Sequence, residues 1–125
     1  MNKEELINLI DSLKISKENF VVLSSGSLVL REIYDIANDL DIAVTKQGLQ
    51  QLKENYDLKQ KDNGWYIVTD KVECVLDDMI GKKEKVGCIY VQEINDYLAY
   101  LEQSSREKDK LRISLVKEYI KNCKQ

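Results

Sequence analysis

The 125-residue sequence has no histidine, no proline, no cysteine pair in CxxC spacing, no long apolar run and no excess of positive charge. Without imidazole, Ser-His-Asp and Cys-His catalysis and ordinary histidine-bearing zinc sites are excluded. Any metal chemistry must then rest on oxygen ligands, which suit magnesium or manganese. Cys74, Cys88 and Cys123 form an odd set; they read as reduced thiols of a cytoplasmic protein, two of them buried in strands. No apolar stretch approaches the roughly 20 residues that span a bilayer. The opening MNKEELINLI lacks the charged-then-apolar order of a signal peptide and reads directly as an amphipathic helix. A formal charge of −3 and a pI near 5.1 do not favour nucleic acid as a partner.

What is present is 43% hydrophobic and 33% charged sequence, suited to one core, so residues 1–125 are expected to form a single domain. Leu6, Ile10 and Leu13 share a helical face, and Asn2 with Glu5 makes a capping pair, which predicts a helix over 2–13. FVVLS, Phe20 to Ser24, is short and β-branched and reads as a buried strand. Ser25-Gly26-Ser27 reads as a turn, and LVLREIYDIA as the short helix after it. DLDIAVT, Asp39 to Thr45, reads as a second strand covered on both faces, and Gly48 to Tyr56 as a third helix. Asp62-Asn63-Gly64 turns between two strands, DLKQK and WYIVT. Further strands are expected at Val72–Ile80 and Val86–Val91, with a Gly81-Lys82-Lys83 loop between them. Two helices close the chain, one on Ile94, Leu98 and Leu101. The other is capped by Ser104 and Glu107 and faces inward through Leu111, Leu115, Val116 and Tyr119. The expected class is α/β, a mixed sheet flanked by helices with a C-terminal helix pair.

The chemistry concentrates in Ser24–Val44. A strand, a small-residue turn and a helix aim backbone N–H groups past the turn; Gly26 permits close approach and Ser27 offers a hydroxyl, a combination that suits phosphate. Asp39 and Asp41 stand two positions apart, which in a strand puts both carboxylates on one face. Adjacent carboxylates repel unless a cation lies between them. Leu40, Ile42 and Val44 would anchor the opposite face, so the pair is expected to hold a hard divalent ion rather than to sit on a solvated edge.

Gly26-Ser27, a helix, then Asp39-x-Asp41 in an apolar strand resembles the signature of the nucleotidyltransferase superfamily, with its polymerase-β-like palm. The resemblance implies a nucleotidyltransferase-like fold in which the Gly-Ser turn holds nucleotide phosphates and the D-x-D carboxylates bind Mg²⁺ (or Mn²⁺). It also implies a third acid from a later strand, for which Glu73 in KVECVLDD is the candidate; Asp77 and Asp78 lie at the strand's end and read as a turn. The tail, VGCIYVQEINDYLAYL followed by SREKDKLRISLVKEYI, is similar to small proteins related to abortive-infection toxins and antibiotic nucleotidyltransferases. There an R-x-K-D helix packs beside the active site, and Arg106, Lys108 and Asp109 match it. Many relatives carry an Arg and a Ser or Thr ahead of the acid pair, where this chain has Asp35 and Ala37; Arg31 is the candidate substitute. A lysine often found in the preceding helix is missing, and Tyr100 and Leu101 occupy that region. The implied activity is transfer of a nucleoside monophosphate from an NTP to a hydroxyl acceptor. The alternative is an inactive module of the same fold that binds a protein partner, such as a toxin–antitoxin component or nucleotide sensor.

Overall fold

Leu40, Ile42 and Val44 are fully buried while Asp41 between them is half-buried, and this two-residue alternation sets the layering of the molecule. The computed structural model describes residues 1–77, 82–104 and 106–123, the side chain of Lys108 excepted. Along the chain these form α1 (Lys3–Ser12), β1 (Phe20–Val22), α2 (Ser24–Leu30), β2 (Leu40–Val44), α3 (Lys46–Asn55), β3 (Lys59–Gln60) and β4 (Tyr66–Ile67). There follow β5 (Val72–Leu76), β6 (Lys83–Val86), β7 (Ile89–Gln92), α4 (Ile94–Gln103) and α5 (Glu107–Cys123). The seven strands make one mixed sheet in the order β3-β4-β5-β2-β1-β7-β6. β2 lies at its centre, antiparallel to β1 and parallel to β5, while β1 runs parallel to β7. The protein is α/β; the described residues form five α-helices, the two C-terminal ones packed together. Among the described residues no helix is long and apolar enough to cross a membrane.

The main core joins α1 and α3 to one face of the sheet through Leu6, Ile10, Phe20, Val22, Leu40, Ile42, Val44, Leu52, Val72 and Cys74. Fully burying each such side chain contributes about 1.5–3 kcal/mol against exposure. α1 begins in the expected capping box: Asn2 accepts from the Glu5 N–H at 2.9 Å, and Glu5 accepts from the Asn2 N–H at 3.1 Å. A second cluster, Leu28, Ile94, Tyr97, Leu101 and Val116, welds α4 and α5 to α2.

Several elements differ from the sequence expectation. Ser25, Gly26 and Ser27 are not a turn but lie in α2, which starts at Ser24 and stops at Leu30. It stops early because Glu32 takes a φ of +64°. There the Ile33 N–H donates to the Leu28 carbonyl and the Glu32 N–H to that of Val29, a Schellman closure that needs no glycine. Gly48 sits inside α3, where an added Cβ would lie 2.7 Å from the Asn19 carbonyl oxygen. The expected strand Val86–Val91 is a hairpin turning at Gly87 (φ +65°), with Val86 facing Ile89. β5 is described as far as Leu76; Asp78, the rest of the expected strand and Gly81 lie outside the described residues. Ser104 does not cap α5: it ends α4, and its hydroxyl donates to Asp109. The inward face of α5 runs through Asp109, Ile113, Val116 and Tyr119, while Leu111 is 59% exposed. Only Cys74 of the three thiols is buried; Cys88 and Cys123 are exposed.

Candidate active site

Opposite the apolar face of β2, Asp41 projects toward the side of the sheet that the main core does not occupy. Asp41 pairs in register with Glu73 of the parallel neighbour β5, so their side chains stand side by side. Burial, then the Glu73 charge, then the Asp39 charge push the Asp41 carboxyl above its ordinary value, with Lys61 pulling the other way. Asp39 is exposed and lies one residue ahead of β2 rather than within it. The three predicted acids are therefore brought into one electrostatic group. Glu73 is already engaged, its Oε1 accepting from Lys61 Nζ at 2.8 Å. Among the described residues no three acid or thiol groups are arranged as a ready-made cation site.

Asp39 and Asp41 line a pocket of about 300 Å³ together with Ser24, Ser25, Ile36 and Asn38. Its remaining wall is Trp65, Tyr100, Arg106 and Arg112. The pocket thus has an acidic side carried by the sheet and a cationic side carried by α5 and the residue before it. A smaller concavity of about 170 Å³ adjoins it through Ser24, Trp65 and Tyr100, and adds Leu23 and Gln92.

The cationic wall is built around Asp109, whose side chain is wholly buried at the start of α5. Burial pushes its carboxyl up, but hydrogen bonds from Ser104 and Arg106 and the charges of Arg106 and Arg112 outweigh this and hold it below the ordinary value. Oδ2 accepts from Ser104 Oγ at 2.6 Å and from Arg106 Nε at 2.8 Å, while Arg112 Nη1 lies 3.6 Å from Oδ1. Arg112 stacks 5.4 Å from the Tyr34 ring, and its Nη1 reaches the Tyr97 hydroxyl at 3.4 Å. Arg112 Nε is buried and has no hydrogen-bond partner among the described residues. Of the R-x-K-D residues, Arg106 lines the pocket and Asp109 orients it from beneath; the Lys108 side chain lies outside the description.

The other predicted phosphate ligands are placed differently. Gly26 is buried against the sheet, and a Cβ there would meet Val22 Cγ1 at 2.9 Å, so its lack of a side chain serves helix–strand packing. Ser27 is buried and donates its hydroxyl to the Ser24 carbonyl at 2.7 Å. Ser24 and Ser25, one turn earlier, are the pocket's serines. Arg31 is not in the pocket: its side chain is buried on the far side of α2, donating to the Gln92 carbonyl at 2.8 Å and pairing with Glu84 at 3.2 Å. Burial of the guanidinium requires these partners. It still touches the site indirectly, because the Gln92 Oε1 accepts from the Ser24 N–H at 3.3 Å, and Ser24 holds a φ of +54°. Sequence reasoning missed Ser24, Trp65, Tyr100 and Arg112 as site residues. The outward break in the α5 pattern at Arg112, a charge among inward-facing positions, was the one available signal. Comparison with protein-family models, with curated proteins and with solved structures finds no match for this chain.

Proposed function

We propose that this chain is a magnesium-dependent nucleotidyltransferase of the polymerase-β-like kind, moving a nucleoside monophosphate from an NTP to a hydroxyl acceptor and releasing pyrophosphate. The observation that carries the reading is one pocket with two carboxylates, Asp39 and Asp41, on one wall and two guanidinium groups, Arg106 and Arg112, on the other. A polyphosphate carrying a divalent cation matches both walls at once: the cation to the acids, the outer phosphate oxygens to the arginines. Asp39 and Asp41 fit as hard oxygen ligands for Mg²⁺ or Mn²⁺, and the like charges that raise the Asp41 carboxyl are those a cation would relieve. When bound, the ion neutralises phosphate charge and acidifies an acceptor hydroxyl. Arg106 and Arg112 would then position the triphosphate, as suits a reaction dominated by placement and charge neutralisation. Glu73 lies beside Asp41 and is the group to hold the acceptor's proton once Lys61 releases it.

Purified protein incubated with labelled NTPs, Mg²⁺ and a panel of hydroxyl acceptors (aminoglycoside-like and lincosamide-like molecules, tRNA ends, proteins) tests the reading. Transfer that falls at least ~100-fold in Asp41→Asn supports it. Transfer unaffected by that change sinks it. The Lys61–Glu73 ion pair favours a second reading, a non-catalytic module that binds nucleotide or a protein partner, such as a toxin–antitoxin component. Nucleotide binding without transfer in any lane selects that reading.

A further inference from the structure

We infer that the smaller concavity beside the acid pair is a stacking site for the nucleobase, with Trp65 and Tyr100 as its two aromatic walls; this rests on the nucleotide reading of the larger pocket. The two concavities share Ser24, Trp65 and Tyr100, so a ligand lying across that seam occupies both. They differ in character. The larger is framed by four charged side chains, whereas the smaller has none, being lined by Leu23, Ser24, Trp65, Gln92 and Tyr100. About 170 Å³ is small against the roughly 300–1,000 Å³ of sites for whole drug-sized ligands and leaves room for one ring system.

The Tyr100 ring and the backbone that carries Trp65 are held before any ligand arrives. Trp65 closes the β3–β4 hairpin: its backbone carbonyl accepts from the Lys61 N–H at 2.7 Å and its backbone N–H donates to Asn63 Oδ1 at 3.1 Å. Tyr100 is 54% exposed yet backed by the buried Tyr97, ring on ring at 6.3 Å and 24°. An exposed aromatic braced in this way offers a flat face at little ordering cost. Gln92 supplies a polar edge. Its Oε1 is taken by the Ser24 N–H, which leaves the amide nitrogen to donate to a ring nitrogen or carbonyl.

Trp65 is the chain's single tryptophan and borders both concavities, so its fluorescence reports ligands at their shared seam. The intact protein is titrated with Mg-ATP, adenosine and Mg-tripolyphosphate, following fluorescence and, in parallel, heat. ATP and adenosine are expected to quench Trp65; tripolyphosphate is expected to bind and displace ATP without quenching. Tyr100→Leu, although Tyr100 borders both concavities, should weaken ATP roughly tenfold and tripolyphosphate much less. Asp41→Asn should leave the adenosine quench intact. If ATP binds without quenching, or Tyr100→Leu binds it as tightly as wild type, the stacking site is overturned and the phosphate pocket stands. If ATP and tripolyphosphate both fail to bind, the nucleotide reading fails and the stacking site with it.

Discussion

Replacing Asp41 by Asn should make the protein more stable in metal-free buffer, although it removes a site residue. Adjacent strands lie about 4.8 Å apart, and Asp41 faces Glu73 across one such gap. Unit charges about 5 Å apart repel by ~3 kcal/mol at an effective dielectric near 20 and by under ~1 kcal/mol in water. Asp41 is half-buried and Lys61 offsets Glu73, so the net repulsion relieved is on the order of 1 kcal/mol. The pH dependence follows from the raised carboxyl. Burial, Glu73 and Asp39 make the folded chain hold the Asp41 proton more tightly than the unfolded chain does. Stability is therefore lost as the pH climbs from the unfolded value of 3.8 through the higher folded one, and the deficit persists at neutrality. For 125 residues, a relief of ~1 kcal/mol corresponds to about 4 °C in Tm. Thermal melts followed by circular dichroism, with chelator and then with millimolar Mg²⁺, provide the assay. Asp41→Asn should melt higher than wild type near neutral pH and approach it at about pH 3, below both the unfolded and the raised folded value of the Asp41 carboxyl. Added Mg²⁺ should raise the wild-type Tm and not the variant's. A variant that melts at or below wild type in chelator, and responds to Mg²⁺ as wild type does, would refute the argument.

Three further outcomes follow from the packing and the ion pairs. Gly26→Ala should lower the urea midpoint by an amount equivalent to about 1–3 kcal/mol, because the new methyl lands on Val22, a β-branched side chain with little freedom to move. Asp109→Asn should destabilise by about 3 kcal/mol near neutral pH, since it leaves the largely buried Arg112 without its counter-charge. Because the Asp109 carboxyl is held below its ordinary value, its contribution is present above 3.8 and is lost as the pH falls through the folded value; acid titration of wild type and variant should show their curves converging there. Lys61→Gln frees Glu73 and should tighten Mg²⁺ binding severalfold by calorimetry, and unchanged or weaker binding would remove Glu73 from the cation's surroundings.

Local pattern carried the acidic half of the site, while of the cationic half the sequence offered Arg106 through its R-x-K-D motif and missed Arg112. Asp39 and Asp41 were legible because a two-residue period in an apolar strand fixes which side chains share a face, and Glu73 because its strand alternates in the same way. The helix after β1 was misplaced: Ser-Ser-Gly-Ser has turn composition, while the close approach of Gly26 to Val22 that seats the helix on the strand is a tertiary fact. The same helix stops at Leu30 because Glu32, two residues on, takes a left-handed conformation usually given to glycine, so nothing in the sequence marked the stop. β6 escaped because Lys-Glu-Lys-Val carries little apolar signal and is held by its hairpin with β7. Trp65, Tyr100 and Arg112 come from a hairpin, α4 and α5, and only the folded chain brings them to one opening.

The open sheet ends in β3 on one side and β6 on the other, and each outermost strand carries lysines at exposed positions: Lys59 on β3, Lys83 and Lys85 on β6. Two molecules meeting rim to rim would have to bring these ammonium groups within a strand's width of one another and strip their hydration. The cations beside Tyr90, 4.3 Å and 5.1 Å from its ring centre, also keep that aromatic from serving as a sticky patch on the rim. The charge along both margins thereby opposes edge-to-edge stacking into fibrils, and this opposition is independent of whatever chemistry the central strands perform.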